Sequence, residues 1–86
     1  MKSDEYIASI LEAGRQAAKE QLLLDKNRRK PEFYTTPEAL FFYLAKEVEE
    51  LSVEVSKRDW ERIYCEAGDV INFASALAKL AKENID

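Results

Sequence analysis

The sequence predicts an all-α protein: an antiparallel helical bundle of about three helices per chain, completed by oligomerisation. Three observations predict it. Only two Gly and two Pro occur in 86 residues, so turns are few, which favours long helices over many short strands. Apolar residues recur at helical spacing in three separate stretches. The chain is 47% hydrophobic and 35% charged, the proportions of a globular protein rather than a disordered or fibrous one. This length makes one domain, residues 1–86, which buries only about 60–65% of its unfolded surface. Partner subunits or a metal are therefore expected to add stability.

The first helix is expected over about residues 4–24. Ile7, Ile10, Leu11, Gly14, Ala17, Ala18 and Leu22 follow the i, i+3, i+4, i+7 pattern, with Gly14 counted as small and Gln21 interrupting it. Ser3 is the expected N-cap. Residues 25–35 read as a basic loop, because Asp25–Pro31 (DKNRRKP) is polar and ends in Pro. Thr36-Pro37-Glu38 is a helix start: a capping hydroxyl, Pro at the first helical position and an acid in the first turn. The second helix then runs to about Ser56 with the stripe Leu40, Leu44, Val48, Leu51, Val55. The periodicity resets at Lys57-Arg58, and Asp59 caps a third helix reaching to about Glu83. Residues 37–83 thus form a helical hairpin. Ile63, Val70, Phe73, Leu77 and Leu80 line the third helix, and Ala67, Ile71, Ala74, Ala78 and Ala81 widen its apolar face to about half the circumference. A helix that apolar needs cover on more than one side, which points to a homodimer or homotetramer.

Composition excludes several chemistries. The net charge of −4 argues against a nucleic-acid partner. With no His, the chain cannot build a Ser-His-Asp, Cys-His or His-rich zinc site from its own residues. The lone Cys65 allows no internal disulfide and fits a reducing compartment. No apolar run approaches 18 residues and no positive-then-apolar leader is present, so a soluble cytoplasmic protein with no membrane partner is expected. Carboxylate chemistry with a hard metal remains.

The carboxylates are placed for it. On a helical wheel Glu47, Glu50 and Glu54 fall along one flank of the second helix's stripe, while Glu49 faces solvent. Glu66 points out of the apolar face of the third helix, with Asp69 one turn on. A buried carboxylate without a partner is costly and is expected to take up a proton. Glu50 lies about 9 Å from the hairpin turn and Glu66 about 10.5 Å, and Glu47 and Asp69 are level in the same way. Antiparallel packing sets both pairs at one height across the seam. Several hard oxygen donors at one point suit Mg2+ or Mn2+, and bundle cores hold such sites. Glu49, Glu54 and Glu61 are expected instead in solvated ion pairs with Lys46, Lys57 or Arg62.

Glu47-x-x-Glu50, fifteen intervening residues, then Glu66-Ala67-Gly68-Asp69 resembles the MazG-like all-α nucleoside triphosphate pyrophosphohydrolases. That family's pattern is E-E-x-x-E, a spacer of a dozen to two dozen residues, then E-x-x-D. The resemblance covers about residues 40–82. Lys46 departs from it, standing where the pattern has its first Glu. The resemblance implies hydrolysis of a nucleoside triphosphate to the monophosphate and pyrophosphate, as nucleotide-pool house-cleaning. It implies metal ligation by Glu47, Glu50, Glu66 and Asp69, with Glu50 or Glu66 as the catalytic base. A phosphoribosyl-ATP pyrophosphohydrolase is a neighbouring reading, although that enzyme shows an aromatic-His pair where this chain has Asn72-Phe73. A non-catalytic helical oligomerisation module is the reading outside enzymology.

The remaining candidates bear on substrate. Arg29, within the cluster Lys26, Arg28, Arg29, Lys30, is a candidate for meeting phosphates, a solvated loop before the helix being its other explanation, and Lys46, Lys57 and Arg58 are its rivals. Asn72, with Phe73 beside it, is a candidate for orienting substrate. Phe33 and Tyr34 can stack on a base; packing is their other explanation, as it is for Phe41, Phe42 and Tyr43. Trp60 is expected to anchor the hairpin. Gly68, costing about 1 kcal/mol relative to Ala inside a helix, points to a closely packed neighbouring helix.

Overall fold

The computed structural model describes residues 2–24 and 36–85. They form three helices: α1 (Ser3–Leu23), α2 (Pro37–Lys57) and α3 (Trp60–Asn84). No strand occurs among the described residues. The basic loop expected over residues 25–35 lies outside them.

The helix ends follow from side-chain chemistry. Thr36 Oγ1 accepts from the Ala39 N–H at 3.2 Å, with Pro37 at the first helical position, where its missing N–H costs nothing. Asp59 Oδ1 accepts from the Arg62 N–H at 3.2 Å and opens α3. Between them Arg58 takes the left-handed conformation, φ 54° and ψ 36°, at a cost of about 1 kcal/mol for a non-glycine residue. That conformation lets the N–H groups of Arg58 and Asp59 satisfy the carbonyls of Val55 and Glu54. At α1 the expectation is corrected by one residue. Lys2 occupies the N-cap position without a side-chain cap, and Ser3 is already helical. Asp4 and Glu5 in the first turn complement the positive helix end instead.

The third helix is central: α1 and α2 both pack against it. Against α2 it runs antiparallel, with Arg62 opposite Glu54 near the turn and Phe73 stacked on Tyr43 further along, ring centroids 6.0 Å apart. Leu40 (1% exposed) and Phe73 (2%) centre this seam. The edge of Phe42 meets the Tyr43 ring at 5.2 Å, although Phe42 itself is exposed.

Helix α1 crosses the other side of α3, also antiparallel. Tyr64 donates to Glu20 Oε2 at 3.0 Å and Asn72 Nδ2 donates to the Ala18 carbonyl at 2.8 Å. Ala17, Ala18 and Gln21 are buried there. Gly68 explains how close the two backbones come. A Cβ at that position would sit 2.7 Å from the Ala17 carbonyl carbon, 2.9 Å from Gln21 Cγ, and closer still to the Ala17 oxygen. The tight packing expected from this glycine is therefore a backbone-to-backbone contact.

Two expectations change. Trp60 is 71% exposed and does not anchor the hairpin; the Asp59 cap, the Arg58 turn and the Glu54–Arg62 ion pair close it instead. Ala74, Ala78 and Ala81 are exposed, because α1 and α2 cover α3 on two sides only and leave the widened face open. Tyr6, Ile7, Ile10 and Leu11 are exposed as well, on the first half of α1.

Gly68→Ala should lower stability by about 1–2 kcal/mol. Overpacking against a backbone that cannot rotate away, with a Cβ 2.7 Å from the Ala17 carbonyl carbon, costs about 2–3 kcal/mol, the upper part of the usual range, and the helix propensity of Ala returns about 1. Thermal melting should then show a loss of roughly 4–8 °C or more for a domain of this size. An unchanged melting temperature would mean that α1 is not docked on this glycine.

Candidate metal centre

Each acidic residue of the site is delivered by a helix whose start is fixed by a cap. Helix α2, set by Thr36, turns Glu47 inward one turn beyond Tyr43. Helix α3, set by Asp59, turns Glu66 and Asp69 toward it from the opposite side. One carboxylate oxygen from each of Glu47, Glu66 and Asp69 lies within 4.8 Å of the other two. Glu47 is 5% exposed and Glu66 7%, while Asp69 is half-buried.

Of the four expected ligands, three therefore converge. Glu50 is exposed, at the rim. It is still close enough to act on Glu66, whose proton affinity its charge raises. The Glu66 pKa lies above its ordinary 4.5, first through desolvation, then through the charges of Asp69 and Glu50, with Arg62 opposing. The two oxygens of Glu66 differ. Oε1 accepts from Arg62 Nη2 at 3.3 Å, whereas Oε2 is buried with no hydrogen-bond partner.

This donor set fits a hard divalent cation. Oxygens on opposite sides of an octahedral Mg2+ are about 4 Å apart, given ligand distances of about 2.0–2.1 Å. Small side-chain rotations bring three oxygens from a 4.8 Å spread to that size. A cation would also neutralise the charges that make Glu66 hard to ionise and give its buried Oε2 a partner.

The acids expected in ion pairs are found there or in solvent. Glu54 lies 3.9 Å from Lys57 and 3.5 Å from Arg62, and its side chain is only 13% exposed. Glu49 and Glu61 are exposed. Among the substrate candidates, Lys46 is exposed on α2, one helical turn before Glu50. The amide nitrogen of Asn72 is engaged by the Ala18 carbonyl, and Phe73 is in the core against Tyr43. Arg29, the rest of its basic cluster, Phe33 and Tyr34 lie outside the described residues. Cys65 is a free, half-buried thiol.

A family model for the MazG nucleotide pyrophosphohydrolase domain matches residues 35–86, more than half of the chain. The chain belongs to that family. The match takes in both carboxylate-bearing helices and leaves α1 outside. No curated protein and no solved structure matches the chain. No helix among the described residues is long and apolar enough to cross a membrane.

The sequence names Arg62 only as an ion-pair partner of the solvated acids, a pairing with Glu54 that is found, and not as a neighbour of Glu66. Arg62 touches Glu66 and Glu54 together, and these two acids raise its own pKa, Glu54 foremost. The available signal was its position one turn before Glu66 on the same helix face.

Because the folded pKa of Glu66 is raised, the folded state binds more protons than the unfolded one above pH 4.5. Stability contributed by this group therefore falls as pH rises from 4.5 through the folded value. In EDTA, the melting temperature of Glu66→Gln should exceed that of the wild type by a few degrees at pH 7.5. The difference should shrink as pH is lowered toward 5. A less stable Glu66→Gln at pH 7.5 would contradict a strained, buried carboxylate.

Proposed function

We propose that the chain is a magnesium-dependent nucleoside triphosphate pyrophosphohydrolase, converting an NTP or dNTP and water to the monophosphate and pyrophosphate. The observation that carries the reading is the convergence of Glu47, Glu66 and Asp69 from two facing helices, two of them buried, within the segment that the family model matches. Carboxylates are a poor site for a polyphosphate unless a cation lies between the two sets of negative charge.

Glu47, Glu66 and Asp69 would hold Mg2+, or Mn2+, with Glu50 closing the site from the rim. The metal supplies charge neutralisation at the phosphate oxygens and a lowered pKa for the attacking water. The protein's part is orientation and proton transfer. Glu50 is the general base on this reading, because it stands at the solvent-facing edge, where water enters and a proton can leave. Glu66, buried beside it, is the alternative base. Lys46 and Arg29 would meet phosphate oxygens from outside the cluster. Asn72 and Phe73, tied to Ala18 and to Tyr43, would shape the pocket through the packing of α3. House-cleaning of the nucleotide pool in the cytoplasm is the role this activity suits. The exposed Tyr6, Ile7, Ile10, Leu11, Phe41 and Phe42 support a homodimer or homotetramer in which a second copy covers apolar surface.

The neighbouring phosphoribosyl-ATP reading is less well supported, since Asn72-Phe73 stands where that enzyme has its aromatic-His pair. Lys46 is the feature that favours a non-catalytic module, because it removes one negative charge from the acidic motif.

Pyrophosphate release from a panel of NTPs and dNTPs should require Mg2+ and stop in EDTA. Asp69→Asn should reduce it ~100-fold or more, by removing a ligand. No metal-dependent release from any nucleotide would sink the enzymatic reading. Millimolar Mg2+ should also raise the melting temperature, because a ligand that binds only the folded state stabilises it. An absent shift, even at several millimolar Mg2+, would favour the non-catalytic module.

A further inference from the structure

We infer that Arg62 is the positioning residue of the metal centre: it pins Glu66 Oε1 at the rim and so presents Oε2 to the ion. The inference rests on the metal-centre reading above. A carboxylate on a long side chain turns easily about its last torsion, because that well is broad. Glu66 is surrounded by the charges of Asp69 and Glu50, which drive it away from the cluster unless something holds it. Arg62 Nη2 meets Oε1 at 3.3 Å, and Oε2 is left buried without a hydrogen bond.

The guanidinium is itself held. Its Nε lies 3.5 Å from Glu54 Oε2 on the facing helix. Glu54 is largely buried and is braced in turn by Lys57 at 3.9 Å. The Arg62 backbone N–H is the group that Asp59 caps, so the residue is fixed to the hairpin turn at one end and to the cluster at the other. A planar guanidinium can address two carboxylates at once, which a lysine ammonium on a flexible stem does poorly. Lys57, Glu54, Arg62 and Glu66 thus form one chain of charges from the turn to the metal ligands.

Two opposing effects follow from removing Arg62, and their sizes decide the sign. Deleting a half-exposed positive charge near a cation site tightens metal binding by only a few-fold. Losing the partner that orients a ligand weakens it by about 10–100-fold. The net expectation is weaker binding. Mn2+ affinity measured by electron paramagnetic resonance, and Mg2+ affinity by calorimetry, read it without any activity assay. Arg62→Gln should weaken Mn2+ binding about tenfold or more. Arg62→Lys should restore less than half of that loss on a logarithmic scale, since charge alone is not the cause. Glu54→Gln should weaken binding about threefold. Melting in EDTA identifies variants that lose the fold, and if Arg62→Gln does, Glu54→Gln and Arg62→Lys decide. Equal or tighter binding by Arg62→Gln, full restoration by Arg62→Lys, or unchanged binding by Glu54→Gln alongside a folded Arg62→Lys that binds as the wild type does, would overturn the inference. A wild-type protein that binds neither ion at millimolar concentration would overturn the metal-centre reading as well, which separates the two failures.

Discussion

Repulsion among carboxylates in the seam between α2 and α3 is the constraint on which the rest of the structure turns. Two like charges about 5 Å apart repel by about 3 kcal/mol at an effective dielectric of about 20, which is part of why Glu66 holds a proton more tightly than an ordinary glutamate does. A small domain has about 5–15 kcal/mol of stability in total. The seam must therefore be held on both sides of the cluster, and it is. Toward the start of α2, Leu40 and the stacked Tyr43 and Phe73 fill the gap between the helices. Toward the turn, Arg62 on α3 ties to Glu54 on α2, which Lys57 braces on its own helix. The acids lie between an apolar clamp and an ionic one.

Helix α1 braces the same arrangement from behind. Gly68 and Asn72 flank Asp69 in the sequence, and both face α1, one by admitting its backbone and the other by a hydrogen bond to it. A helix carrying clustered carboxylates on one side and a docked helix on the other has little freedom to rotate. Rotation is the movement that would relieve the repulsion by turning Glu66 outward, so the glycine contact bears on the site although it lies outside it. The docking also explains why Gln21 is buried: it packs over Gly68, where a larger residue on α3 would push it away.

Much of this was legible because helices have fixed pitch. The caps at Thr36 and Asp59 set where α2 and α3 begin, the turn at Arg58 sets where they meet, and a constant rise then places Glu47 level with Asp69. The apolar stripe identified Leu40 and Phe73 for the same reason, although Val48 and Val55 of the α2 stripe are about half exposed. What stayed hidden depends on surroundings rather than pitch. Arg62 reads as one more solvated charge until Glu54 is known to face it from the other helix. Gln21 reads as an interruption of α1 until Gly68 leaves room for it. Trp60 reads as an anchor because large aromatics are usually buried, but the first residue of α3 points away from both neighbouring helices. The width of the apolar face on α3 was legible, whereas its cover was not: Ala74, Ala78 and Ala81 stay open beside two helices.

The two halves of the proposed site also differ in what builds them. The deep half, Glu47, Glu66 and Asp69, is supplied by the hairpin alone, whose caps and ion pairs are local to α2 and α3, with α1 bracing it from behind. The outer half, Lys46, Glu50 and Arg62, is exposed and has no wall of described residues facing it. A cation small enough to sit among three oxygens is within reach of the first half alone. A nucleotide is many times larger, and its base and sugar need surfaces that this pair of helices does not supply. On the proposed reading, affinity for metal would be a property of the hairpin, and selectivity for nucleotide would come from surfaces beyond it. Lys46 stands at that boundary. On the first half it would be a flaw, one negative charge fewer beside the metal. On the second it would be a cation at the edge of a site for a polyanion, so that the same residue would weaken one proposed function while serving the other.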